Sequence, residues 1–207
     1  MKNLQDLLTE SSRRHSHLCP RQVLGVRMAL AAVNALELEL PSRKKNLLVI
    51  AETDGCFVDG LEVAAGVSAG HRTLRIEDYG KVAATFVKVS SGEAIRLAPL
   101  SDVRLRAQLF VKDEPRHYFA QLHGYQLMPD QELFSFTPVT LEPTIEKIVS
   151  LPGLRVNCSV CNEEIINQRE IVLQGSIYCR TCFGQGYYQE KSDSYSVALN
   201  VSHPVSS

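Results

Sequence analysis

Residues with chemistry to offer fall at two places in this chain. Near its start, His15, His17 and Cys19 occupy alternate positions in H-S-H-L-C-P, residues 15–20. Near its end, Cys158-x-x-Cys161 and Cys179-x-x-Cys182 form two pairs separated by 17 residues. The second set has the spacing of a four-cysteine zinc site, where each pair lets two thiolates approach one ion from a tight turn. All four positions are then filled by protein, so that site is closed and structural. The rival reading is two disulfides or redox dithiols. The first set is more open. In an extended segment, alternate residues face one side, so His15, His17 and Cys19 could converge. Imidazole and thiolate both suit zinc or another borderline metal. Cys56, at the head of a predicted helix, is the natural further ligand, because a helix N-terminus favours thiolate. Two alternatives stand beside this: a nucleophilic Cys19 with His17 as its base, or a buried apolar cysteine and core histidines without a chemical role. No Asn or Asp stands out as the orienting third member of a triad.

The elements that must position these residues are partly legible. Leu4, Leu7 and Leu8 share one face of a short opening helix. A second helix is expected from Pro20 to Leu36, with proline at a first position where its missing N–H costs nothing. Residues 47–52, LLVIAE, read as a buried strand, and residues 56–66 as a helix ending at Gly66. Strands are expected over 73–78, 81–89 and 94–99, and a helix from Asp102 to about Lys112 with Leu105, Leu109 and Phe110 on one side. Residues 132–143 read as extended, with Pro138 at an edge or bulge. Strands and helices mix without strict alternation, so the expected class is α+β, with a mixed or antiparallel sheet and helices over residues 1–150. Leu151-Pro152-Gly153 is a junction. The segment 151–191 has too few large apolar residues for a core of its own and needs a staple. REIVL and SIYC around Gly175 predict a hairpin, and the second cysteine pair opens a helix weakened by two glycines, which together predict a treble clef. Residues 192–207 are expected to be loose.

Composition narrows the function. Hydrophobic residues make up 44% of 207, enough for a core, and the net charge is −1. That charge argues against general binding to nucleic acid or membrane surfaces. The finger segment, with Glu163, Glu164, Glu170 and Glu190 against Arg169, Arg180 and Lys191, is a poor phosphate-binding surface, and docking a protein or the chain's own core domain suits it better. No apolar run is long enough to span a membrane and no signal-peptide core opens the chain, so the expected compartment is the cytoplasm. In that reducing setting paired cysteines favour metal over disulfide.

H-x-H-L-C-P followed by a helix resembles the opening of the formylmethanofuran dehydrogenase FmdE family. So does the run from Cys56 to Lys81, with Cys56, Asp59, Gly66, Gly70, Asp78, Gly80 and Lys81 at the matching positions. The double C-x-x-C followed by Gly184-x-Gly186-Tyr187-Tyr188 is similar to a finger that many members append. The resemblance covers most of residues 1–190. It implies an α+β core with a treble-clef finger, a Cys/His-lined core pocket, and a homodimer. It also implies an association with dehydrogenase subunits whose chemistry uses a molybdenum or tungsten pterin in methanogenesis. On this reading His17, Cys19 and Cys56 form a metal or active site holding zinc or another metal, apart from the structural zinc on Cys158, Cys161, Cys179 and Cys182. Three positions depart from the family's pattern. Arg21 replaces a glycine, Ser68 stands where many members have cysteine, and His71-Arg72 replaces Lys-Gly. Asp59, one turn after Cys56, could orient a histidine ligand. Lys81 is either a counter-charge for an anionic ligand or a solvated strand start. The functions weighed are a metal-binding oxidoreductase accessory, a metal-dependent hydrolase or transferase with Glu52 or Asp54 as acid or base, and a ligand-sensing regulator.

Overall fold

A computed structural model describes residues 2–38, 45–111, 113–142, 145–148 and 153–189. The chain divides into two compact units, Met1–Val149 and Ser150–Ser207. The expectation of a loose tail over 192–207 lies outside the described residues.

The first unit is a helical layer on a five-stranded sheet. Helices α1 (Leu4–Ser12) and α2 (Pro20–Ala35) precede β1 (Leu47–Ala51), α3 (Cys56–Ala65), β2 (Leu74–Ile76), β3 (Ala84–Lys88) and β4 (Ala94–Pro99). Then come the short α4 (Val103–Arg106), a 3-10 turn over Ala107–Phe110, α5 (His117–Leu127), α6 (Asp130–Leu133), β5 (Phe134–Pro138) and α7 (Ile145–Ile148). The strand order is β2-β1-β3-β4-β5. Only the β1–β2 pair is parallel, with Val49 opposite Leu74, while β1–β3, β3–β4 and β4–β5 are antiparallel. Pro138 therefore sits on an edge strand, where a missing N–H is tolerated.

Alternation along β1 decides how the sheet is covered. Leu47, Val49 and Ala51 face the helices and join a core with Phe57, Leu61, Phe86 and Leu97, all below 1% exposed. Leu48 faces the other way, into a smaller cluster with Val87, Ala94 and Ile148. Each fully buried side chain of this size contributes about 2 kcal/mol.

The tightest packing lies between α2 and α3. A Cβ on Gly25 would come within 2.3 Å of the Phe57 carbonyl oxygen, and one on Gly60 within 2.4 Å of that of Gln22. The two helices thus meet backbone to backbone, a contact only glycine permits. α1 is secured by Asn3 and Asp6, which cap each other's backbone N–H groups. α3 ends at Gly66 in the left-handed region, φ 68°.

Several expectations needed correction. The helix expected over Asp102–Lys112 ends at Arg106 and continues as a 3-10 turn, because Ala107 must lie against Gly124 of α5, where a Gly124 Cβ would sit 2.6 Å from the Ala107 carbonyl. Its inward residues are Val103 and Ala107, whereas Leu105 and Leu109 are 70% and 72% exposed. Lys112 lies outside the described residues. α5 itself was not anticipated. Its buried positions are Ala120, Leu122, Gly124 and Tyr125, and that face has too few large apolar residues to stand out in the sequence. Residues 13–17 form turns and bends rather than an extended run.

The second unit holds two hairpins, β6 (Arg155–Asn157) with β7 (Glu164–Ile166), and β8 (Ile171–Leu173) with β9 (Ser176–Tyr178). Gln174 and Gly175 turn the second hairpin at φ 51° and 80°, as tight two-residue turns require. After β9 the expected helix shrinks to one wide turn, Thr181–Gln185, interrupted by Gly184 at φ 85°.

Candidate functional site

In the core unit, α2 and α3 each begin at a cysteine. Cys19 is the residue before α2, and Cys56 is the first residue of α3. The Gly25–Gly60 approach fixes how close those two helix starts lie. Gln22, fully buried, accepts from the Cys19 backbone N–H at 2.9 Å and donates to the Ser11 carbonyl at 2.8 Å. That bridge closes the turn between α1 and α2 on which His15 and His17 ride.

His15 is the histidine that reaches Cys56. Its Nε2 lies 3.2 Å from Cys56 Sγ, and its Nδ1 lies 3.0 Å from Asp59 Oδ2. Asp59 and the Arg14 carbonyl, 3.2 Å away, both face Nδ1 and hold the ring with Nε2 toward the sulfur. Burial pushes the Cys56 thiol above its ordinary value, and the Cys19 sulfur beside it adds to the shift. Two neighbouring thiols without a cation resist losing both protons. His17 hydrogen-bonds Ser16 at 3.0 Å and lines the adjoining cavity.

That cavity has a volume of about 840 Å³ and is bordered by Cys19, Cys56 and Tyr118 at one end. Burial, then the charges of Cys19 and Cys56, raise the Tyr118 phenol, which places its hydroxyl within electrostatic reach of both sulfurs. Tyr118, Gln121 and Tyr125 come from α5, so sequence reasoning missed the whole of this wall.

The remaining sequence candidates fall into place around it. Glu52, 8% exposed, gives both carboxylate oxygens to Arg96, at 2.5 and 2.8 Å. It is an anchor for Arg96 rather than a free acid or base. The Glu52 carbonyl also accepts from Tyr79 and Lys81 N–H groups, and Asp78 accepts from Gly80 N–H at 2.9 Å. The D-x-G-K run is thus a turn that carries Lys81 to the cavity rim. Ser68 and His71 hydrogen-bond each other at 2.8 Å in the loop before β2, and neither lines the cavity.

The finger cysteines are more closely gathered. The sulfurs of Cys158, Cys161, Cys179 and Cys182 all lie within 4.8 Å of one another, the one such group of three or more potential ligands among the described residues. Tetrahedral Zn–S bonds of about 2.3 Å would space sulfurs by roughly 3.8 Å, so a small contraction suits the ion. Backbone N–H groups already point at the sulfurs: Cys179 and Val160 donate to Cys158 at 3.3 and 3.5 Å, and Cys182 donates to Cys179 at 3.3 Å. These donors bring Cys158 down to about 6, while neighbouring thiols push Cys182 up to about 12. No disulfide joins them. The four thiols can hold a metal ion such as zinc.

Residues 14–135 match the family model described as FmdE, molybdenum formylmethanofuran dehydrogenase operon. The chain belongs to the FmdE family. A protein of Archaeoglobus fulgidus described as a probable S-adenosyl-L-methionine-binding protein is 35% identical over 97 residues, which is 45% of this chain and 26% of that one. This chain therefore spans about a quarter of that relative's length. The crystal structure of a tungsten formylmethanofuran dehydrogenase FmdE-like protein from Syntrophus aciditrophicus matches over 91% of this chain and 96% of that one. Its TM-score is 0.57 at 19% identity, a likeness of fold. Among the described residues no helix is long and apolar enough to cross a membrane.

Proposed function

We propose that this FmdE-family protein is a metal-binding accessory that holds a metal ion in its core through Cys19, Cys56 and a histidine, and a structural zinc in its finger. The observation that carries the reading is the His15–Cys56 contact backed by Asp59. An imidazole that donates from its far nitrogen to a carboxylate, with its near nitrogen beside a cysteine sulfur, is arranged as a metal-bound histidine is. His15 fits the ligand role better than His17 because its Nε2 lies 3.2 Å from Cys56 Sγ, whereas the hydrogen bond of His17 is to Ser16. An ion there would supply the positive charge that lets Cys19 and Cys56 both ionise.

Cys19, Cys56 and His15 would supply three ligands to such an ion, one fewer than a closed site holds, which would suit an ion that is exchanged or that touches a second molecule. The family description and the Syntrophus likeness support an association with a molybdenum or tungsten dehydrogenase, with this chain as an oxidoreductase accessory in one-carbon metabolism. A homodimer and a cytoplasmic setting complete the reading. A hydrolytic role is less well supported, because Arg96 occupies the buried carboxylate such a role would need. The description of the Archaeoglobus relative raises S-adenosylmethionine as a ligand, but its sulfonium suits poorly a cavity rimmed by cations.

Elemental mass spectrometry of the full chain tests the metal reading. Two metals per chain are expected, one lost in Cys19→Ser and the other in Cys158→Ser. A single zinc, lost only in Cys158→Ser, would overturn it.

A further inference from the structure

The charges around the core cavity run against those of the chain. The whole protein is close to neutral, at −1. Yet four cations, Arg21, Lys81, Arg96 and Arg104, line this one cavity, and no Asp or Glu does. Arg96 is already matched by Glu52 behind it. Arg21, Lys81 and Arg104 have no carboxylate partner among the described residues. They come from three separate elements: the first turn of α2, the turn before β3, and α4. A solvated surface has no reason to gather like charges from three elements around one concavity, since they repel.

We propose that this cavity binds a small organic phosphate, with the phosphate held by Arg21, Lys81 and Arg104 and the body of the molecule lying toward Cys19, Cys56 and Tyr118. The volume of about 840 Å³ is far larger than an inorganic anion needs and lies in the range of sites for nucleotide-sized molecules. The remaining lining suits such a body. Tyr118, 43% exposed, offers a ring, Leu24, Val82 and Pro99 offer apolar walls, and Gln121 offers an amide. Guanidinium groups pair with phosphate oxygens in a fork, and the start of α2, which opens on the cavity, adds the positive end of a 16-residue helix. Arg21 carries much of the argument. It is the second residue of α2, two positions after Cys19, so one turn of helix presents both the soft group and the cation to the same space.

The proposal extends the metal reading of the same site and rests on it only for what meets the thiols. Its test keeps the two apart. AMP, adenosine and inorganic pyrophosphate serve as probes of the full chain by isothermal titration calorimetry, at fixed ionic strength. AMP and pyrophosphate are expected to bind, and adenosine at least about tenfold more weakly than AMP, the scale of one lost charge-assisted contact. The double variant Arg21→Gln/Arg104→Gln alters exposed side chains, so it should keep its melting temperature and its metal content. It should lose about tenfold or more in AMP affinity. Cys19→Ser should lose the core metal and keep pyrophosphate affinity within about threefold. Equal binding of AMP and adenosine, or AMP affinity untouched by the double variant, would overturn the phosphate site. If Cys19→Ser leaves metal content unchanged while pyrophosphate still binds, the metal reading falls and the phosphate site stands.

Discussion

Cys158 and Cys161 flank one tight turn and Cys179 and Cys182 another, whereas Cys19 and Cys56 ride on two different helices. The unit after Val149 buries only Cys158 and Asn167 among its described residues, and leaves Val160, Val172, Leu173 and Tyr187 half or more exposed. Its described residues form no apolar interior to hold the hairpins, and the four sulfurs take that central place. The first unit is the reverse. Its interior runs from Leu7 to Phe134 and would exist without any cysteine. There the fold brings the thiols together; in the finger the thiols bring the fold together.

Removing a finger ligand gives the largest expected effect. Structural zinc contributes about 10–16 kcal/mol in small fingers, more than so small a unit retains without it. Cys158→Ser or zinc chelation should abolish protease resistance over residues 153–189 and leave the melting of the first unit unchanged. If the finger kept its protection, the contrast between the units would break.

Next comes the helix crossing. Gly25→Ala or Gly60→Ala puts a methyl group against backbone that cannot swing aside, and should cost about 3 kcal/mol. In a unit of this size that lowers the melting temperature by roughly 10 °C. The same variants should weaken metal retention in the core without touching the finger, read by metal content per chain. A smaller loss, about 2 kcal/mol by chemical denaturation, is expected for Arg96→Gln, because the Arg96 side chain is 30% exposed and water can take over part of the hydrogen bonding to Glu52.

The smallest effect is the most local. In metal-free protein, Tyr118 should ionise above the ordinary tyrosine value because burial and two nearby sulfurs disfavour the phenolate. Replacing both Cys19 and Cys56 with serine removes the negative neighbours, so the value should fall part-way and stay raised by burial. Phenolate absorbance, with Tyr118→Phe as the reference, reads the shift. No change would mean that the hydroxyl is not beside the thiols.

How much of this could be read from residues alone divides along the same line. The finger was legible because its ligands are set by spacing, and a C-x-x-C turn has one geometry wherever it stands. α1, α2, β1 and α3 were legible through their apolar periods and through Pro20 and Gly66. The core site was legible in composition and not in arrangement. Alternation pointed to His15, His17 and Cys19 as one row, but residues 13–17 turn, so His15 alone reaches Cys56 while His17 faces the cavity beside it. The α5 wall was hidden because glycine and alanine pack it against Ala107, and small residues leave no period to read. In the sequence Glu52 reads as an acid or base or as plain turn chemistry, and neither reading holds Arg96, which β4 lays across it from 44 residues away, a pairing no local pattern announces.

The Gly25–Gly60 crossing also sets an order in time. The finger's sulfurs span only residues 158–182, and local turns can gather them around an ion while the rest of the chain is still unfolded. Cys19 and Cys56 come into register only when two finished helices have met. On the proposed reading, an ion reaches the core thiols after folding, through the mouth of the cavity, and leaves by the same route. On that reading one unit is assembled around its ion, and the other is a dock built first and loaded later.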